Sequence, residues 1–257
     1  MINSITIESL RKLVTLGDPG PDGQSHAIFV MKRYDIDDLK EAYMAPMTAK
    51  VEMKIMNHFV ELQRLELINL YHTFAPVDGT KVVAGLLYET LAHRRVEEGI
   101  TLTLKPMERV KKRINFHCNV RGAQQAPTSM DVDTPEMPIT IPANTPFIYE
   151  ELASVDPEPN RLYVPRARNQ AEFDSFVIVN EYLHLLQFTV SGTHGLTPKV
   201  EELLREMIKP GVPAMENWRF IFITPIDCDV TVIVPSVVNT FLVGVPLYSA
   251  HLDIDQN

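Results

Sequence analysis

Three polar side chains in residues 173–191 have the types and the spacing of a divalent-cation site. This stretch, FDSFVIVNEYLHLLQFTVS, is rich in β-branched, aromatic and leucine residues, and it predicts two strands over 174–179 and 182–191. Asn180 and Glu181 form a short polar turn between the strands. The sequence therefore predicts a β-hairpin whose open end carries the polar residues.

The pairing of the two strands follows from the length of the turn. If the loop has two residues, Val179 faces Tyr182, and counting outward sets Asp174 directly opposite Gln187. Opposed residues have Cβ atoms about 4.5–5.5 Å apart, and alternate residues share a face, so Thr189 lies on the side of Gln187. A carboxylate and an amide oxygen then converge from adjacent strands, and Mg²⁺ prefers such oxygen ligands.

The same residues also have a purely structural interpretation. Gln187 in a central strand can be a buried amide with satisfied hydrogen bonds, and Asp174 can cap a turn. His184 is predicted to be a core histidine on the opposite face, and His194 can be a loop residue without chemistry. No serine hydrolase is indicated, because no Gly-X-Ser-X-Gly elbow surrounds Ser175 or any other serine.

A second constellation lies on a helix predicted over residues 79–98. Apolar residues at helical spacing predict its buried stripe: Val82, Val83, Leu86, Leu87 and Leu91. Glu89 borders this stripe and shares a face with Gly85 and His93. A close approach of the helix to the sheet would bring Glu89 to Asp174. Alternatively, Glu89 pairs with His93 one turn later.

The charge of the chain limits how it can hold nucleic acid. The formal net charge is −9, which argues against broad electrostatic capture and requires a local basic patch. One basic cluster follows a strand predicted over residues 100–107 and comprises Arg109, Lys111, Lys112 and Arg113. This cluster either contacts phosphates at the rim of a cleft, acts as a weak nuclear-localisation signal, or is simply a solvated face.

Cysteine content and hydropathy bear on the compartment. Two cysteines cannot form a disulfide framework, which favours a reducing compartment. No apolar run is long enough to span a bilayer, so no membrane partner is expected. The first residues lack the apolar core of a secretory signal. The expected location is intracellular, in the cytoplasm or nucleus, although a secretion route without such a signal stays open.

Composition and periodicity divide the chain into two parts. Residues 1–78 are predicted to be a helical and strand extension, with helices over 2–16 and 49–71 and a strand over 27–31. Residues 79–257 are predicted to be the main domain, with a proline-rich, acidic surface insertion at 122–160 that contains short extended pieces around 139–141 and 147–149. In the main domain we further expect a helix from Thr197 to about 209, a strand over 218–224, edge strands or irregular packing within 229–247 and a frayed end from His251.

The order of these residues resembles the core hairpin of the PD-(D/E)XK nucleases, which carry Asp on one strand and Glu-X-Lys on the next. More closely, it resembles the nuclease-like C-terminal domain of fungal Crinkler and retrotransposon-hotspot-type proteins, which carry Gln-X-Thr instead. The matching phrases are Leu162-Tyr163-Val164-Pro165, Asn169, Asp174-Ser175-Phe176, Gln187-Phe188-Thr189-Val190-Ser191 and His194, with Gly85-Leu86-Leu87-Tyr88-Glu89, His93 and Gly99 upstream. Weaker matches at 25–30 and 218–222 extend the resemblance over most of the chain.

The resemblance implies an α/β fold with a restriction-endonuclease-like αβββαβ core, a mixed central sheet and an N-terminal helical extension. It implies metal-dependent hydrolysis of phosphodiester bonds in nucleic acid, DNA in preference to RNA, by an effector or toxin domain. Mg²⁺ or Mn²⁺ would be held by Glu89, Asp174 and Gln187, and Thr189 would position water. Lys199 and His194 are secondary candidates for the catalytic cation or proton donor.

Two departures from the family pattern leave a rival interpretation open. Thr189 stands where nucleases of this fold usually place lysine, and Gly195 and Leu196 follow His194 where the family has proline and lysine. The rival is a nuclease fold that no longer cuts and acts as a nucleic-acid or protein binding module. Such a module needs no metal, so changing Asp174 would leave its partner binding intact. The sequence does not indicate an oligomeric state.

Overall fold

The structure is a computed structural model that describes residues 29–33, 42–46, 63–77, 79–112, 115–120, 136–166, 172–236 and 241–256. The chain divides into two compact units, Met1–Ala92 with Ile254–Asn257, and His93–Asp253. The predicted helix over 2–16, most of the helix over 49–71, and the motif residue Asn169 lie outside the described residues. None of the described helices is long and apolar enough to cross a membrane.

The described residues of the first unit include a small sheet and helical segments. Strands β1, Phe29–Arg33, and β2, Ala42–Pro46, pair antiparallel, and helix α1 covers Arg64–Phe74. Helix α2 covers Lys81–Glu97, and its last residues, 93–97, belong to the second unit. The strand predicted over 27–31 is thus confirmed for residues 29–31 and continues to Arg33, residues 27 and 28 lie outside the described residues, and the helix predicted over 79–98 is confirmed.

The second unit is built on one mixed sheet of eleven strands. Its order is β10-β12-β4-β3-β13-β11-β9-β8-β7-β6, with β5 paired to β3. The strands are β3 Ile100–Lys112, β4 Asn115–Val120, β5 Met137–Ile141, β6 Phe147–Tyr149, β7 Leu162–Pro165, β8 Ser175–Val179, β9 Tyr182–Phe188, β10 Thr193–Gly195, β11 Trp218–Thr224, β12 Thr231–Pro235 and β13 Leu247–His251. Helix α3, Lys199–Glu206, follows β10. The predicted mixed α/β class is confirmed.

The strands around the hairpin change direction in a defined way. Strands β7, β8 and β9 form an antiparallel meander, whereas β9, β11 and β13 run parallel to one another. Parallel neighbours require a crossover, which the segment containing β10 and α3 supplies between β9 and β11. The strand predicted over 218–224 has the predicted bounds, and every residue of β8 is buried, as expected of strands covered on both faces.

One large apolar cluster lies on the face of the sheet that α3 covers. Alternate residues of β11, Trp218, Phe220 and Phe222, point to this face, and Val200 and Leu204 of α3 pack in the same cluster. Fully burying side chains of this size stabilises the fold by about 1.5–3 kcal/mol each. The cluster fixes α3 and β11 relative to the hairpin.

The predicted insertion is partly built into this sheet. Its two short extended pieces are confirmed as β5 and β6, and residues 121–135 lie outside the described residues. Ile139 and Ile141 are buried against β3, and Tyr149 and Leu152 join the main cluster. The described part of this segment therefore lies at the surface, as expected, and is anchored to the sheet by these few buried side chains.

Two expectations for the end of the chain are wrong. The edge-strand alternative for 229–247 fails because β12 lies between β10 and β4, and β13, which begins at Leu247, lies between β3 and β11. The described residues after His251 are not frayed, because Leu252 and Ile254 are buried and Leu252 N–H donates to the Thr224 carbonyl over 2.9 Å. Both errors have one cause, since pairing with strands distant in sequence leaves no local pattern.

Candidate functional site

The hairpin has the predicted register. Val179 pairs with Tyr182, and Asn180 and Glu181 both have positive φ, 50° and 66°. Positive φ at both loop positions is the mark of a type I′ turn, whose twist matches that of paired strands. At the other end Asp174 N–H donates to the Leu186 carbonyl over 2.8 Å, which extends the ladder by one step beyond β8. Asp174 therefore lies beside Gln187, as predicted.

Polar groups from the two strands converge at this open end. Gln187 Nε2 donates to Asp174 Oδ2 over 2.8 Å and lies 3.3 Å from the Phe188 carbonyl oxygen. The Phe188 N–H donates to the same Asp174 oxygen over 2.6 Å. Asp174 is half-buried and Gln187 is 8% exposed, so these hydrogen bonds are partly shielded from water. The carboxylate is thus held in one orientation by two donors from β9.

The donor types at this point fit a divalent cation with oxygen ligands. Amide nitrogen and oxygen are distinguished only by their hydrogen-bond network, and here the amide nitrogen faces the carboxylate. Reversal of the Gln187 amide would turn its oxygen toward Asp174 and the Phe188 carbonyl. A carboxylate, an amide oxygen and a main-chain carbonyl are the hard ligands that Mg²⁺ and Mn²⁺ accept. Among the described residues no three His, Cys, Asp or Glu side chains form a metal-binding group.

Thr189 lies on the same face of the sheet as Gln187, and its hydroxyl oxygen is hydrogen-bonded to a nearby residue of the same loop. Its N–H donates to the Ile223 carbonyl over 3.0 Å, which continues the pairing with β11 past the end of β9. Its hydroxyl oxygen accepts the Ser191 N–H over 3.1 Å, and the residue is 8% exposed. The hydroxyl can still donate its proton to a water or phosphate, although it supplies no charge.

His194 is brought next to the hairpin. Its ring lies 5.5 Å from the ring of Phe222, which is the register partner of Gln187 on β11. Burial lowers the pKa of His194 below its ordinary value, so the imidazole is neutral near pH 7. His194 can therefore exchange a proton or a hydrogen bond, but it does not replace the lysine as a permanent cation.

Lys199 is not brought to the carboxylate. It is the first residue of α3 and is exposed, and its side chain makes no hydrogen bond or ion pair with any residue that the structure describes. Its main-chain N–H donates to the Thr197 hydroxyl oxygen over 3.3 Å. The role of Lys199 as a candidate for the catalytic cation stays a prediction.

Glu172 is a residue that sequence reasoning missed. It is 7% exposed, has φ +99°, and accepts hydrogen bonds from the N–H of Thr197, over 2.9 Å, and from the Thr197 hydroxyl. The bonds join the chain just before Asp174 to the chain just before α3. No sequence signal reveals this contact, because a glutamate beside Phe173 normally indicates a solvated turn.

Glu89 and His93 lie on the two sides of the unit boundary. Glu89 belongs to the first unit, where it is half-buried on α2, and its role as a metal ligand stays a prediction. His93 belongs to the second unit, is 4% exposed, and its ring meets that of Phe188 edge-on at 4.8 Å. His93 therefore packs on Phe188, whose side chain lies, by alternation along β9, on the face opposite to that of Gln187.

His184 lies on the opposite face of β9, as predicted. Its register partners are Val177 on β8 and Arg219 on β11, and it is 1% exposed. Burial, with a smaller contribution from the Arg219 cation, lowers the pKa of His184 to about 4. Arg219 stacks over the ring of Tyr182 at 3.7 Å. This histidine is a neutral core residue at physiological pH.

The basic cluster of β3 does not form a phosphate site as a whole. Arg109 Nη2 donates to the main-chain carbonyls of Leu242 and Val245, over 2.6 and 2.7 Å, and burial lowers the pKa of its guanidinium. Phosphate binding or full solvation is therefore wrong for Arg109. Lys111 is exposed, as a solvated face requires, and Arg113 lies outside the described residues.

Comparisons with known proteins give no relative for this chain. No family model, no curated protein and no solved structure matches it.

Proposed function

We propose that the second unit is a metal-dependent nuclease that hydrolyses phosphodiester bonds in nucleic acid, with DNA as the first substrate to test. The observation that carries this proposal is the convergence of Asp174, Gln187 and the Phe188 carbonyl at the open end of one hairpin. Two of these groups come from side chains directly opposed on adjacent strands. An oxygen-rich point of this kind suits Mg²⁺ or Mn²⁺.

The surrounding elements support a PD-(D/E)XK type of core. Along the chain, helix α2 is followed by strands β3 to β6, then by the antiparallel meander of β7, β8 and β9, the short strand β10, helix α3, and β11, which pairs parallel to β9. This succession contains the αβββαβ order that the sequence resemblance implies, with four further strands described between α2 and the meander. In the proposed core, Asp174 before β8 and the Gln-X-Thr segment that begins in β9 would correspond to the two family motifs.

A division of roles follows from the chemistry of the residues. Asp174 and Gln187 would hold the cation, with Glu89 as the predicted further carboxylate. A bound divalent cation polarises the phosphate and makes water a better nucleophile. Thr189 would orient water through its hydroxyl proton, and neutral His194 would exchange a proton. Because amide oxygen carries no charge, we expect weaker metal affinity than at a site with a third carboxylate.

One observation favours a second function, an inactive nuclease fold that binds a nucleic acid or protein. The Gln187 amide already satisfies Asp174 without a cation, through the 2.8 Å bond between Nε2 and Oδ2. Thr189 adds no charge where a lysine is usual. In this alternative the amide–carboxylate pair is a structural cross-strand bond, and metal neither binds nor matters.

The two functions are separated by a cleavage assay. Purified protein is incubated with plasmid and single-stranded DNA in Mg²⁺ or Mn²⁺, beside the Asp174→Asn variant. Asp227→Asn is the matched control, because Asp227 is an exposed residue of the turn after β11. The nuclease proposal predicts cutting by wild type and Asp227→Asn and none by Asp174→Asn. No cutting by wild type, with unchanged partner binding in Asp174→Asn, supports the inactive module.

A further inference from the structure

Three parallel strands end at the same edge of the sheet as the Asp174 site. Strands β9, β11 and β13 run in one direction, so their carboxyl ends lie together. His251 pairs with Thr224, and Thr189 lies one step beyond the pair of Phe188 with Ile223, which places it beside Thr224. In open α/β sheets ligands bind at the carboxyl ends of the strands. The row of Thr189, Thr224 and His251 therefore continues the candidate site along its edge.

The imidazole of His251 is held in one tautomer. Its Nδ1 lies 3.1 Å from the Pro225 carbonyl oxygen and 3.1 Å from the Thr224 hydroxyl oxygen. A carbonyl oxygen only accepts hydrogen bonds, so Nδ1 carries the proton. Nε2 is then the nitrogen that gains and loses a proton. A main-chain carbonyl on the other ring nitrogen is a recurring way to orient a functional histidine.

The surroundings of Nε2 suit a group that donates a proton. Asp229 Oδ1 lies 3.7 Å from His251 Nε2, an ion pair when the imidazole is protonated. The His251 side chain is 23% exposed, so the ring is not sealed in the core. Because Nδ1 contacts residues of β11 and the turn after it, the ring leans from β13 toward β11, the strand that pairs with β9.

We propose that His251 is the general acid of the nuclease, donating the Nε2 proton to the leaving oxygen of the phosphodiester. This inference rests on the proposed function. It assigns to His251 the protonation of the leaving oxygen, for which Thr189 is unsuited because its hydroxyl supplies no charge. Two interstrand spacings separate Thr189 from His251, about 10 Å between Cα atoms, and the buried Thr224 of β11 lies between them. The phosphodiester would therefore lie beyond the carboxyl ends of the strands rather than between the two side chains.

The proposed step balances as a single displacement. An oxygen–phosphorus bond forms between water and the phosphate, and the bond from phosphorus to the leaving sugar oxygen breaks. The leaving oxygen takes the proton from His251 Nε2, and the proton lost by water passes to neutral His194 and from there to solvent. His251 ends neutral and takes up a proton from solvent before the next turnover.

Leaving-group chemistry tests this role. His251→Gln and wild type are compared on an oligonucleotide, whose sugar oxygen needs protonation, and on bis(p-nitrophenyl) phosphate, whose aryl oxygen leaves without it. We expect kcat on the oligonucleotide to fall about 10²–10⁴-fold with KM unchanged, as loss of general acid catalysis implies, while turnover of the aryl ester stays near wild type. A merely structural role would lower both activities together.

A matched histidine controls for nonspecific effects. His72 also pairs with an aspartate, with Nε2 2.9 Å from Asp255 Oδ1, and His72→Gln is expected to retain both activities. ¹⁵N NMR of wild type should report the Nδ1–H tautomer of His251 independently of turnover. An Nε2–H tautomer, equal loss on both substrates, or full oligonucleotide activity in His251→Gln overturns the inference alone. Wild type inactive on both substrates overturns the proposed function and this inference together.

Discussion

Gln187 Nε2 donates a hydrogen bond to Asp174 Oδ2 across 2.8 Å, at the open end of a hairpin whose register is set by its turn. Each side chain is a hydrogen-bond partner of the other, so a change to either is expected to alter the stability of the metal-free protein and, at the proposed site, its affinity for a cation. The proposal therefore links metal binding and folding through one pair of residues.

Gln187→Glu should lower the stability of the metal-free protein and increase the stabilisation that added metal gives. Two carboxylates at this distance repel, and we expect the metal-free variant to lose about 1–3 kcal/mol of unfolding free energy. Added Mn²⁺ should restore more stability to the variant than to wild type, because the charge at the site has increased. Thermal unfolding with EDTA and with Mn²⁺ measures both. Equal metal responses in the two proteins would contradict a cation between these residues.

Glu172 should be important for stability because it holds Thr197. Glu172→Ala removes both hydrogen bonds and is expected to cost about 1–3 kcal/mol. Glu172→Gly loses the same bonds but accepts φ +99° more easily, so it should be about 1 kcal/mol less destabilised than the alanine variant. Urea unfolding compares them, with the exposed Glu202→Ala as control. An alanine variant as stable as this control would show that the hydrogen bonds between Glu172 and Thr197 contribute nothing to stability.

His184 should make the protein sensitive to acid. Its pKa is about 4 in the folded protein and about 6.5 when unfolded, so the unfolded state binds more protons between these values. Stability from this residue is complete above pH 6.5 and is lost as pH falls toward 4, by about 3 kcal/mol. The pH dependence of urea unfolding for His184→Gln should be flatter over this window. Parallel curves of unfolding free energy against pH for the variant and wild type would contradict a contribution from His184.

Arg109 should anchor the segment before β13. Its guanidinium donates to the carbonyls of Leu242 and Val245, which a lysine cannot reproduce with one ammonium. Arg109→Lys is therefore expected to lose about 1–3 kcal/mol and to become more sensitive to proteolysis near residue 242. Limited proteolysis with mass spectrometry reports the cut, and the exposed Lys111→Arg is the control. Identical cleavage patterns would argue against this anchoring role.

The parts of the fold that local pattern determines could be predicted, and the rest could not. The two-residue turn fixes the register that brings Asp174 to Gln187, and alternation puts His184 on the other face, so both were accessible from sequence. The interior position of β13 could not be predicted from the sequence, because its partners β3 and β11 are distant in the chain. His251 was consequently expected in a frayed tail. Glu172 was missed because its partner, Thr197, lies 25 residues away.

The most direct test of the central claim is titration calorimetry of Mn²⁺ into wild type, Asp174→Asn and Asp227→Asn. The proposed site predicts saturable Mn²⁺ uptake by wild type and Asp227→Asn and its loss in Asp174→Asn. No uptake by wild type, or equal uptake by Asp174→Asn, would show that the hairpin holds no cation and would leave the Gln187–Asp174 bond as a structural feature only.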